Sequence, residues 1–173
     1  MTTSTGINVP ALDVEIDGST ISDALDDALM SIEVDNNLYL PDVATIRFVL
    51  DAMEEPLTGI PDTNLKDSMS QGAQLTIKDG PSEIFDGEIT SVGIEFNAVV
   101  PKGGLYAVLQ ASDRAHRLHR GRKTETFLQM SISDIAEKVI NDAQLSPDVD
   151  STSGVLAYVI QANQTDWEFL WQL

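Results

Sequence analysis

Apolar and polar residues alternate with a period of two through most of the first 113 positions. Leu12, Val14 and Ile16 interleave with Asp13, Glu15 and Asp17, and Gly18 supplies a turn. Met30, Ile32 and Val34 interleave with Ser31, Glu33 and Asp35, and Ile46, Phe48 and Leu50 with Arg47, Val49 and Asp51. The pattern returns at Leu75 and Ile77, at Val92, Ile94 and Phe96, and at Leu105, Ala107 and Leu109. Successive side chains of a strand point to opposite faces, so each stretch predicts a half-buried strand with its polar face outward. Gly59-Ile-Pro61, Asp79-Gly-Pro81 and Pro101-Lys-Gly-Gly104 separate them as breakers. Ile89 falls out of phase with Val92, which predicts a bulge within Ile84-Phe-Asp-Gly-Glu-Ile89, with Gly87 permitting the kink. Residues 52–72 are polar and mixed and read as a loop with one short helical turn. Many short strands with turns between them predict an antiparallel barrel or sandwich.

The periodicity changes after Asp113. Ile132, Ile135, Ala136, Val139, Ile140 and Ala143 follow helical spacing, with Ser131 placed to cap the free amides and Asp134 in the positive first turn. Asp134 and Lys138 form an i,i+4 pair, worth only ~0.3 kcal/mol. A strand is predicted at Val155–Ile160. Thr165-Asp-Trp-Glu168 then forms a capping box opening a second helix, with Trp167, Phe169, Leu170, Trp171 and Leu173 as its apolar stripe. That helix ends on apolar residues with no cap, so the natural polypeptide is expected to continue. The fold class expected is α+β and strand-rich: a barrel-like antiparallel β domain, a helical segment, and the start of a second β domain. The expected division is a flexible tail at 1–11, a first domain at 12–113, and a second segment at 114–173.

Charge alters the picture at one place. The net charge is -18, yet Arg114, Arg117, Arg120, Arg122 and Lys123 gather five of the ten basic residues into an acid-free run, leaving -23 on the rest. Nucleic acid is not an expected partner, because the acidic body repels phosphate and no Phe, Tyr or Trp lies within the run. Arginine pairs carboxylates bidentately, so an ion-pair network with acidic residues of the same or an adjacent chain is the expected use. His116 and His119, the two histidines, are spaced i,i+3 with Asp113 as a conceivable third ligand. The cations around them disfavour a divalent metal, and no metal or cofactor is expected. Adjacent carboxylates such as Asp26-Asp27 and Glu54-Glu55 diverge on any regular element and read as surface charge. There is no Cys, Gly-x-Ser-x-Gly elbow, phosphate-loop lysine motif or His-Glu-x-x-His, so no catalytic residue is assigned. No run approaches 18 apolar residues, and the first residues show neither a basic region nor an apolar core of a signal peptide.

Three ordered motifs carry a family likeness. Asp113-Arg-Ala-His-Arg-Leu-His-Arg-Gly-Arg-Lys-Thr-Glu-Thr-Phe127, Ser133-Asp-Ile-Ala136 and Gln161-Ala-Asn-Gln-Thr-Asp-Trp-Glu-Phe-Leu170 resemble the phage late control protein D and VgrG family, above all the spike proteins of extracellular contractile injection systems. Ile84-Phe-Asp-Gly-Glu-Ile-Thr90, Leu38-Tyr-Leu-Pro41 and Ile46-Arg-Phe48 extend the likeness upstream, and Glu125 departs from it where a basic residue is usual. The resemblance implies a non-enzymatic hub (spike base) that adapts a hexameric tail tube to a trimeric spike. The implied partners are two further copies, inner-tube subunits, baseplate proteins and a spike tip or effector. The implied place is a virion tail or injection particle, assembled in the cytoplasm. Asp113, Arg114, His116, Arg117, His119, Arg120, Arg122, Asp134 and Asp166 are the residues expected at its assembly interfaces. The rival expectation is a carbohydrate-binding or enzyme-accessory β-domain at a cell surface, which explains strands and acidity but not the Asp113–Phe127 motif.

Overall fold

The computed structural model describes residues 12–50, 69–97 and 104–173. The chain divides into two compact units, Met1–Asp113 and Arg114–Leu173. The expected tail at 1–11, most of the expected loop at 52–72, and the breakers at 59–61 and 101–103 fall outside the described residues.

In the first unit the strands are β1 (Leu12–Ile16), β2 (Ser19–Thr20), β3 (Leu29–Asp35), β4 (Val43–Leu50), β5 (Gln74–Asp79), β6 (Ser82–Asn97) and β7 (Gly104–Ser112). They form one sheet in the order β2-β1-β5-β6-β7-β4-β3, and every pairing is antiparallel. Each alternating stretch read from the sequence is one of these strands. Asp17 and Gly18 both take positive φ, at 48° and 73°, the turn whose twist suits a two-residue hairpin between Ile16 and Ser19. Gly80 at φ 56° with Pro81 closes the hairpin from Asp79 to Ser82.

Val14, Ile46, Phe48, Leu75, Ile77, Ile89 and Leu109 are almost inaccessible and form the centre of the core. The sheet is not closed into a barrel. β1 and β3 do not pair, because the chain between β2 and β3 turns into a short helix, α1 (Asp23–Ala28). Leu25 of that helix is buried in the core, with Ala28 and Leu29 packed against it. Their i, i+3, i+4 spacing was the available signal for a helix absent from the sequence expectation.

The long strand β6 slips register twice. Ile84 is extra between the pairs Lys78–Glu83 and Ile77–Phe85, and Thr90 is extra between Ile89–Ala111 and Ser91–Gln110. A bulge therefore does fall within Ile84–Ile89. Gly87 serves another purpose than kinking: a Cβ there would overlap the Ser112 carbonyl oxygen and the Phe85 ring. The neighbouring backbone comes too close for any side chain.

The second unit begins with a 3₁₀ turn, Arg114–His119, followed by β8 (Lys123–Ser131), α2 (Ile132–Asp142), β9 (Val155–Gln164) and α3 (Asp166–Gln172). β8 and β9 pair antiparallel as a separate two-stranded sheet. Phe127, Ile135, Val139 and Phe169 are its buried core, with the Phe127 and Phe169 rings stacked at 5.4 Å. Both helices open with complete capping boxes, Ser131 with Asp134 and Thr165 with Glu168. The predicted Asp134–Lys138 pair does not form, because the Asp134 carboxylate accepts the Ser131 amide while Lys138 turns to Glu125 and Asp142. Trp171 is 69% exposed and is not part of the core stripe. In Asp-Trp-Glu-Phe-Leu-Trp-Gln the buried face is set by Phe169 and not by the tryptophans.

Candidate assembly segment

The cationic run spans the 3₁₀ turn and the start of β8, and much of its hydrogen bonding stays within the second unit. Leu118 is buried and anchors the turn. Arg117 reaches back to the C-terminal end of α2, where its Nη1 donates to the carbonyls of Gln144 at 2.9 Å and Ala143 at 3.4 Å. That helix has no basic residue in its own last turn. Arg117 supplies from outside the cation that the negative helix end favours. The helix terminates in a Schellman motif: Leu145 N–H bonds Ile140 O at 3.1 Å, Gln144 N–H bonds Asn141 O at 2.9 Å, and Gln144 takes φ 59°.

Arg122 clamps the entry to α3. One nitrogen donates to Asn163 O at 2.8 Å, and the other pairs Glu168 Oε1 at 2.6 Å. Lys123 pairs Asp166 Oδ1 at 3.0 Å. The same oxygen accepts Gln161 Nε2 at 2.9 Å, and that amide also donates to Gln164 O at 3.1 Å. Gln161 is wholly buried and Asp166 nearly so, which makes this a fixed polar node beneath the helix. Glu125, the departure from the family pattern, bonds the Lys138 ammonium. This hydrogen bond, then that to Asp142, raises the Lys138 pKa above its ordinary value, against a lowering by burial.

The remaining predicted residues go to different places. Asp113 belongs to the first unit, where its Oδ2 accepts the Asp42 amide at 3.1 Å and its own amide donates to Asp42 O at 3.0 Å. His116 bonds Arg120, whereas His119 stacks on Trp167 with ring centroids 5.1 Å apart. The two histidines thus part, and no metal-binding cluster occurs among the described residues. Asp134 is a helix cap. Arg114 and Arg120 are exposed. The structure therefore joins Arg122 to Glu168, and Lys123 to Asp166 and Gln161, in two neighbouring clusters at the entry to α3, of which Gln161 and Glu168 were not foreseen as partners, and it leaves Asp113 and Asp134 apart from them. Gln161 carries no charge signal in sequence, and its place at the head of the Gln161–Leu170 motif was the available hint of a role.

The sequence of the chain matches one family model from residue 7 to residue 173, that of the Alg8 N-terminal domain. The chain belongs to the Alg8 N-terminal domain family. No curated protein matches it. Solved structures share the fold of this Alg8 N-terminal domain. A 43 kDa tail protein of prophage MuSo2 from Shewanella oneidensis is 11% identical over 92% of this chain and 47% of its own, with a TM-score of 0.63. A tail protein from Neisseria meningitidis is 17% identical over 92% and 43%, with a TM-score of 0.57. An E. coli component of the type VI secretion system, itself structurally similar to the T4 bacteriophage tail proteins gp27 and gp5, is 14% identical over 91% and 41%, with a TM-score of 0.54. The chain spans less than half the length of each of these proteins.

Proposed function

We propose that this chain is a structural part of the spike base, or hub, of a phage-tail-like contractile injection system, of the late control protein D and VgrG kind. In this reading three copies assemble into a ring that adapts a hexameric tail tube to a trimeric spike. Its neighbours are inner-tube subunits, baseplate proteins and a spike tip or effector, within a virion tail or injection particle. Its work is mechanical and not enzymatic.

The observation that carries the reading is the fold, shared over more than nine-tenths of the chain with two tail proteins and a type VI secretion system component. Surface chemistry adds support. Val92, Ile94 and Phe96 on β6 are 42%, 55% and 67% exposed although they share a sheet face with buried Leu109 and Ala107. Leu128, Tyr158, Leu156 and Ile160 leave one face of the β8–β9 sheet apolar and exposed. Apolar strand surface of this kind is what neighbouring subunits cover. Arg120, exposed on the cationic turn, is a guanidinium of the kind that pairs a carboxylate of an adjacent acidic copy.

Electron microscopy of particles purified through an affinity tag on this chain tests the reading. Density for the tag is expected at the junction of tube and spike. Recovery of the tagged chain without any tube- or needle-bearing particle, under conditions where particles form, contradicts it.

A further inference from the structure

A cleft of about 460 Å³ in the first unit lies between strands from the two ends of the sheet. Its walls include Leu12 and Asp13 of β1 and Met30 and Ile32 of β3, with Asp23 and Asp26 of α1 beside them. β1 and β3 are far apart in the sheet order, so the sheet wraps until its ends face each other across this gap. Among the described residues, β3 pairs with β4 alone, and the Leu12–Asp13 end of β1 pairs with β5 alone. Both walls therefore present backbone donors and acceptors unused among the described residues, and a sheet edge in that state accepts a further strand. The volume falls within the ~300–1,000 Å³ of cavities that hold drug-sized ligands.

We propose that this cleft receives an extended segment of another polypeptide, one that alternates cationic with apolar residues. The apolar part follows from Leu12, Ile32 and Met30, the last 56% exposed. The cationic part follows from charge. Among the described residues, three carboxylates line the cleft and no Lys or Arg does. Asp13 lies opposite Lys78 in the ladder, which leaves Asp23 and Asp26 to meet the incoming side chains. A second copy of this chain is the wrong occupant, because no described strand of it holds more than one cation. The free edge of β3 also carries exposed Glu33 and Asp35, so pairing copy to copy would set like charges together. The inference does not depend on the trimeric hub reading.

The test uses the whole chain and a fluorescently labelled heptapeptide of alternating Lys and Val, followed by anisotropy at physiological salt and by amide exchange. The peptide is expected to bind and to protect amides of Leu29–Asp35. An alternating Glu-Val twin, and an isomer with its lysines and valines in separate blocks, are expected not to bind. D23N/D26N is expected to weaken binding about fivefold, the effect of losing two exposed pairs. D148N/D150N, the same charge change at exposed carboxylates outside the cleft, is expected to change nothing. Absence of binding, equal binding of the block isomer, equal loss in both double variants, or unprotected β3 amides would each overturn the proposal.

Discussion

Replacing Arg117 by alanine asks whether the cationic run exists first to hold the second unit together. Its guanidinium donates to the Gln144 carbonyl at 2.9 Å and more weakly to Ala143, at the end of a helix with no basic residue in its last turn. A hydrogen bond to a charged group contributes ~1.5–3 kcal/mol when buried. A cation at a helix C-terminus adds ~0.3–1 kcal/mol. The Arg117 side chain is only partly buried, so the lower end applies and R117A should cost about 1.5 kcal/mol. R117K keeps the charge but not the fork and should cost about half of that. R117M keeps the stem alone and should resemble R117A. Both tryptophans lie in α3 of this unit, so their fluorescence during urea or thermal unfolding reports on it directly. About 1.5 kcal/mol corresponds to a midpoint lower by roughly 6–12 °C for a unit this small. Amide exchange should show the loss in the last turn of α2. An R117M protein with wild-type unfolding and unchanged exchange there refutes the reasoning.

Four further outcomes follow from single contacts. Q144G should raise stability by about 0.5–1 kcal/mol in the same fluorescence assay, because glycine takes the left-handed φ at no steric cost. D166A leaves Lys123 without its carboxylate and removes an acceptor from buried Gln161, and should cost about 2–3 kcal/mol; D166N, which retains an acceptor, should cost less. G87A forces β6 away from the Ser112 carbonyl and should lower the circular-dichroism melting point of the first unit, by about 1–3 kcal/mol in stability. The Lys138 pKa is raised in the folded chain by its hydrogen bond to Glu125. The folded state therefore holds that proton more tightly than the unfolded one, where it titrates near ~10.4. The associated stability is whole below that pH and is lost as pH rises through the folded value. K138M should remove part of the alkaline decline in urea midpoint and leave the part due to Lys78, whose pKa is raised by its hydrogen bond to Glu15.

Much of this was legible in the sequence because a strand writes itself in period two and a capped helix in its first four residues. Val14 and Ile46 betray their burial by alternation with charge, Leu75 and Leu109 by their two-residue spacing from Ile77 and Ala107, and Ser131 and Thr165 mark helix starts to the residue. β8 escaped notice because Lys-Thr-Glu-Thr has no apolar alternation, and it is a strand by virtue of pairing with β9. Closure of the sheet was not legible either, since whether β1 meets β3 depends on a helix of one and a half turns between them. The cationic run was visible, but its use was not: which carbonyl Arg117 reaches is decided by where α2 ends, 26 residues later. Trp171 misled through its four-residue spacing from Trp167, whereas Phe169 held the buried position.

The central proposal is that this chain is one piece of a ring of identical copies. Native mass spectrometry of the purified chain across a range of concentrations tests that most directly. A species of three copies that grows with concentration and dissociates when Phe96 and Tyr158 are made acidic is the predicted result. A single copy at every concentration, with those same apolar faces left in water, would contradict it.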